Sequence, residues 1–345
     1  MSALSLGVIL AILAGVINGS FPAPIKYAKV WKWENIWSVW AVFGMVVFPW
    51  LVVFLTIPDP WDVYYGVALK SLLLTMSFGV GFGLAQIFFG LGIAAIGMAL
   101  NFAIAIGLST VLGSLVPLLA HQRDRIFTRQ GAAIFFGLLL MLAGIVGCAL
   151  AGKMKETYLR ARHPRPRESA AVAMSFAAGL SLCILAGLGS PLTNFGYAFG
   201  TPLLARAAAQ GVSPSSQANV IWAPLNTSAF IPYIFYCIHL WQKNKTAPLF
   251  LAPGTASNWV LGAAMGLMWF ASTVIYGAVL ARLGEMGPVL GWPLFMSAII
   301  VASYVWGLAT AEWKGAGRRA LNTMLGSILL LILGFATLAY ARTLG

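Results

Sequence analysis

The 345 residues are 60% hydrophobic and only 8% charged, with a mean hydropathy of +0.89. So few charges cannot cover the surface of a water-soluble fold, so the chain reads as one that lives in a lipid bilayer. The net charge of +13 does not make it a nucleic-acid binder, because its lysines and arginines fall in short loops between apolar runs and form no continuous face.

A helix needs about 20 residues to cross the hydrocarbon. Ten candidates follow one another at 3–28, 35–57, 67–95, 98–120, 131–152, 169–200, 215–241, 257–282, 288–309 and 320–342. The first charge is Lys26, so residues 1–25 are expected to be a retained span and not a cleaved signal. That span ends in "GVINGSFPAPIKYAKVWKWENIW", where Pro22 and Pro24 break the helix and Lys26, Lys29, Lys32 and the tryptophans form a basic, aromatic collar. The longest polar link, residues 153–168 ("KMKETYLRARHPRPRE"), divides the chain into five spans, 1–152, and five more, 169–345. The sixth span repeats the break of the first: "GLGSPLTNFG" again sets a proline and an asparagine among glycines.

The halves look related. "FGLAQIFFGLGIAAIGMAL" lies beside "WFASTVIYGAVLARLGEMG" at one offset, with Phe89 opposite Tyr276, Gly90 opposite Gly277 and Gly97 opposite Gly284. Five spans per half force the copies to cross the membrane in opposite senses. The expected fold is an all-α integral membrane protein, ten transmembrane helices in two inverted five-helix repeats, with a site near the midplane at the broken helices. Five Gly-x-x-x-Gly pairs, 15–19, 79–83, 196–200, 262–266 and 287–291, predict close helix packing. Loops 1–2, 5–6, 7–8 and 9–10 hold two-thirds of the 21 lysines and arginines, which puts that side in the cytoplasm and both termini outside.

No Asp or Glu falls in the middle of a span. The embedded polar groups are neutral: Gln86, Asn101, Asn194 and Asn226, accompanied by Trp222, Trp269, Tyr276 and Trp292. Amides offer paired donors and acceptors and indole faces stack on C–H surfaces, a mixture that suits a neutral polyol; for any one of them, helix–helix hydrogen bonding is the plainer role. For ion coupling the candidate acid is Glu34, beside Lys26 in sequence, with His239 and Glu285 next. Sodium is open beside protons, since it needs only carbonyls and hydroxyls. Cys148, Cys183 and Cys237 are packing residues, and the scattered histidines and cysteines predict no metal. "GVGFG" (residues 79–83) is no phosphate loop, and there is no Gly-x-Ser-x-Gly elbow, so no cofactor, catalytic residue or enzyme activity is expected.

"FPAPIKYAKVWKWENIWSV" (21–39), "GMALNFAIAIGLSTVLGSLVP" (97–117), "GLMWF" (266–270) and "EWKGAGRRA" (312–320) resemble the L-rhamnose/proton symporter family, within the drug/metabolite transporter superfamily, over nearly the whole chain. The resemblance implies ten helices, a five-plus-five inverted repeat, and uptake of a deoxyhexose with protons across a bacterial inner membrane. By motif position it points to Lys26, Glu34, Trp37 and Gln86. Beside this stand an amino-acid or metabolite exporter or facilitator on the same scaffold, and a membrane-embedded transferase, which the scarcity of embedded acids and histidines disfavours.

Overall fold

The computed structural model describes residues 3–162, 175–309 and 313–344, and no strand occurs among them. The α-helices in chain order are α1 (Ala3–Ser20), α2 (Trp33–Ala41), α3 (Phe48–Thr56), α4 (Pro60–Tyr65), α5 (Leu69–Ile96), α6 (Met98–His121), α7 (Arg129–Arg162), α8 (Phe176–Gly189), α9 (Leu192–Phe199), α10 (Thr201–Ala209), α11 (Pro214–Gln217), α12 (Asn219–Asn244), α13 (Ala256–Leu283), α14 (Gly287–Ala309) and α15 (Arg318–Ala341). Among the described residues, nine helical segments are long and apolar enough to cross a membrane. One of the nine, Ala256–Ala309, runs 54 residues and holds both α13 and α14 around a 3-10 turn at Gly284–Met286. The chain is therefore a multi-pass, all-helical membrane protein, with large apolar side chains such as Leu55 and Leu329 turned outward to lipid.

The irregularities have local causes. Pro22 has no N–H for the carbonyl of Asn18; the Phe21 N–H donates there instead, at 3.3 Å, and the chain tightens into a 3-10 turn, Ala23–Tyr27. Pro191 separates α8 from α9 in the same way. At both breaks a serine hydroxyl donates back one turn, Ser20 to Val16 O at 2.6 Å and Ser190 to Ala186 O at 2.7 Å. Between α2 and α3 the helix widens into a π turn, Val42–Val47, in which the Phe48 N–H reaches Phe43 O ahead of Pro49. The fifth span is longer than expected. α7 runs on to Arg162, because Lys155 lies over the Trp313 ring, 4.8 Å from its centroid, and the Tyr158 ring rests against Gly317. The rest of the expected polar link, 163–168, lies outside the described residues, as does Glu312 of the last motif.

The described chain divides into two compact units, each drawing on both halves of the sequence. Unit 1 comprises residues 1–84 and 192–284, and unit 2 residues 85–191 and 285–345. In unit 1, glycines let helix backbones touch. A Cβ on Gly79 or Gly83 would strike the backbone oxygens of Leu225 and Ala229 on α12. One on Gly262 would come 2.7 Å from Val39, and one on Gly266 2.8 Å from the Gly44 nitrogen. Gly196 and Gly200 face Leu225 and Ile221. Three of the five predicted pairs, 79–83, 196–200 and 262–266, are thus close contacts, and the "GVGFG" stretch is a packing seam. In unit 2, α7 and α15 pair along Gly137, Gly144 and Gly334, and Gln130 Nε2 donates to Ala341 O at 3.0 Å.

Candidate functional site

Unit 1 carries two adjoining clusters of aromatic and amide side chains. The first is built from α2, whose sequence WENIWSVWA places Trp33, Trp37 and Trp40 four and three residues apart, on one helical face. Phe21, just past the α1 break, stacks on Trp40 (5.8 Å, 22°) and meets Trp37 edge-on (5.8 Å, 88°). Trp40 also meets Trp37 at 5.0 Å, Tyr233 of α12 at 5.7 Å and Trp269 of α13 at 5.2 Å, all edge-to-face. Trp269 in turn lies parallel to Phe82 of α5 at 6.5 Å. The indole N–H groups of Trp37 and Trp40 are buried and have no hydrogen-bond partner among the described residues.

The second cluster lies further along α12 and α13. Tyr276 donates its hydroxyl to Asn194 Oδ1 at 2.6 Å. Trp222 stacks on Tyr197 (6.2 Å, 26°) and packs beside Tyr276 (6.4 Å). One turn on from Trp222 is Asn226. Both residues are 0% exposed, and neither the Trp222 indole N–H nor either amide atom of Asn226 has a partner among the described residues. Trp269 and Tyr276 are seven residues apart, about 10 Å along α13, so α12 and α13 join the two clusters. A buried donor or acceptor left unpaired costs about 1–3 kcal/mol. Several of them gather here, among aromatic faces and with no buried lysine or arginine among the described residues.

Glu34 begins α2 and is, among the described acids, the one that is buried, at 4% exposed. Its Oε1 accepts from Asn244 Nδ2 at 3.0 Å and Thr246 Oγ1 at 2.8 Å, where α12 ends, and Trp241 Nε1 donates to its backbone oxygen at 3.2 Å. The neighbouring Asn35 donates to Thr246 O at 3.0 Å. Lys26 lies exposed in the 3-10 turn, and the Glu34 carboxylate accepts from Asn244 and Thr246. His239 and Glu285 are exposed.

Of the substrate candidates read from the sequence, Asn194, Trp222, Asn226 and Tyr276 come together, and Trp269 belongs to the neighbouring cluster. Gln86, Asn101 and Trp292 lie in unit 2. There the Trp292 Nε1–H donates to Ser109 O at 3.1 Å, and its ring fills the groove left by Gly113, a packing role. Asn101 is fully buried beside Gly92 and Cys183, its amide without a partner among the described residues. Gln86 is half-buried on α5. Trp40 and Tyr233 were not among the sequence candidates; the 33–37–40 spacing of tryptophans was the signal for the first.

Residues 1–341 match the family model described as L-rhamnose-proton symport protein (RhaT). An L-rhamnose-proton symporter of Cronobacter sakazakii is 29% identical over 350 residues, covering 97% of this chain and 99% of the relative. Proteins of the same description from Citrobacter koseri and Escherichia coli are 28% and 27% identical over 339 residues, covering 96% of each chain.

Proposed function

Because the chain belongs to the L-rhamnose-proton symport protein family, we propose that it imports L-rhamnose or a closely related deoxyhexose together with a proton, by alternating access, across a bacterial inner membrane. The observation that carries the sugar reading is the Trp222–Asn226 pair, neutral, fully buried and unpaired between aromatic rings. An anionic or zwitterionic cargo would call for a buried cation there, and no lysine or arginine is among the buried residues of the described chain. This favours a neutral sugar over an amino acid. The acyl or glycosyl transfer of a membrane transferase would need an embedded acid, base or metal at this place, and the cluster offers amides and rings.

In this reading the chain has ten spans, α13 and α14 being separate crossings, in two inverted repeats, 1–152 and 169–345, joined by 153–168. Two features support the repeat. Gly97 (φ +89°), between α5 and α6, and Gly284 (φ +63°), between α13 and α14, are the glycines paired by the internal alignment, and both turn the chain through a conformation that L side chains rarely adopt. The Pro22 and Pro191 breaks, each with its back-bonding serine, are the second. The termini lie outside, following the distribution of basic residues. The coupling group is Glu34, the buried acid, and protons rather than sodium are its ligand, since its oxygen is bound by two neutral donors of the same unit.

Titration of the purified transporter with L-rhamnose tests the site. Trp222→Ala, Trp269→Ala and Asn226→Ala should each raise Kd about tenfold, as expected for loss of a stacked ring or of a buried polar contact, with the folded protein retained. Wild-type affinity in all three would put the sugar elsewhere. A wild-type protein that binds no deoxyhexose or pentose would sink the sugar reading itself.

A further inference from the structure

Unit 1 has a separate cavity of about 240 Å³ between α3, α4, α5 and α12, lined by Trp50, Trp61, Tyr64, Tyr65, Pro224 and Thr227 among others. It is a platform of rings: Trp61 lies nearly parallel to both Trp50 (6.2 Å, 28°) and Tyr65 (6.3 Å, 30°), and Tyr64 meets Trp50 edge-on at 5.7 Å. Trp50 is fixed by its indole N–H, which donates to Thr227 Oγ1 at 2.9 Å. Tyr64 is only 8% exposed, yet its hydroxyl has no partner among the described residues. Burial pushes the Tyr64 pKa well above its usual value, so the phenol keeps its proton and stays a donor.

We propose that this cavity is an outer loading subsite for the transported sugar, which stacks its C–H face on Trp50 and Trp61 and hydrogen-bonds Tyr64 before passing to Trp222 and Asn226. The inference rests on the sugar reading given above. Two observations choose a neutral sugar over a phospholipid headgroup. The nearby cation, Arg206, is already engaged by Asp62 Oδ1 at 3.1 Å, and Gln210 Nε2 donates to the other Asp62 oxygen at 2.9 Å, so this guanidinium is balanced by an acid. The lining otherwise offers ring faces, the aliphatic side chains of Leu72 and Met76 and the phenol hydroxyls of Tyr64 and Tyr65, the pairing that a deoxysugar complements. The path inward is short in sequence: Pro224 and Thr227 flank Asn226 on α12, and Pro224 removes an N–H from that stretch of helix. The loop carrying α4 lies on the face that the basic-residue count assigns to the outside, where imported sugar arrives.

Initial-rate uptake of labelled L-rhamnose into proteoliposomes, set beside equilibrium binding, tests the subsite. Tyr64→Phe and Trp61→Ala should lower kcat/KM about three- to tenfold, the range of one lost hydrogen bond or ring contact. Equilibrium Kd at the inner site should stay at the wild-type value, because a loading site is no longer occupied once the sugar has moved on. In Asn226→Ala protein, millimolar rhamnose should still quench tryptophan fluorescence, and adding Trp61→Ala should abolish the quench. Unchanged kcat/KM in both outer variants overturns the proposal. So does native mass spectrometry in which Tyr64→Phe sheds a bound phospholipid while uptake is unaltered, which would make the cavity a lipid site. If instead Trp222→Ala and Asn226→Ala bind sugar as tightly as wild type while the outer variants lose uptake, the inner-site reading fails and the outer one stands.

Discussion

Glu34 shows how one residue joins a span to a loop. Its carboxylate is held by Asn244, the last residue of α12, and by Thr246 just beyond it, and the same loop is tied to α2 through Asn35. Any movement of α2 against the end of α12 must break or remake these bonds, which is what a coupling group requires: a change of surroundings between access states. Glu34→Gln keeps the oxygen that accepts from Asn244 and Thr246 and removes the charge. On the coupling reading, proteoliposomes bearing Glu34→Gln exchange internal for external rhamnose as fast as wild type, yet do not concentrate it when a proton gradient is imposed. Accumulation at the wild-type level would leave Glu34 a structural anchor.

At the scale of helices, small residues set how closely the spans approach. On α5, Gly79 faces the α12 backbone at Leu225, whereas nothing among the described residues lies within 4 Å of the Cβ position of Gly90. The two glycines therefore make a matched pair on one helix. Gly79→Ala should push α5 off α12 and destabilise the protein by about 1–3 kcal/mol, the usual range for overpacking. Gly90→Ala should be neutral or slightly stabilising, since alanine is the better helix former. Thermal unfolding in detergent reads both, and equal melting temperatures for the two variants would refute the seam. The π turn at Val42–Val47 belongs to the same scale: it carries Gly44 to the backbone of Gly266 and so sets Trp40 against Trp269.

For the molecule as a whole, the sidedness proposed from the basic residues has a direct test. All three native cysteines are buried, so single reporter cysteines are read against a quiet background. Tyr65→Cys, on the α4 loop, should react with a membrane-impermeant maleimide in intact cells. Lys245→Cys, after α12, should react only once the membrane is opened. The reverse pattern would invert the topology and move the aromatic cavity to the cytoplasmic face.

The apolar runs, the scarcity of charge and the prolines at 22, 24 and 191 determined the solvent, the helices and the places where they break, because a bilayer leaves backbone groups no partner but their own helix. The family was legible too, in motifs that run through the start of α2, most of α6, the middle of α13 and the start of α15. What only the tertiary structure decided was which polar residues meet. Asn194 and Tyr276 are 82 positions apart and share a hydrogen bond. Trp292, equally tryptophan and equally embedded in the sequence, instead gives its N–H to Ser109 and fills a packing groove. Glu34, eight residues from the exposed Lys26, is carried by α2 to the end of α12, where Asn244 and Thr246 hold its carboxylate. In an apolar sequence every helical face is greasy, so periodicity does not mark the face that meets a partner; helix packing alone selects it.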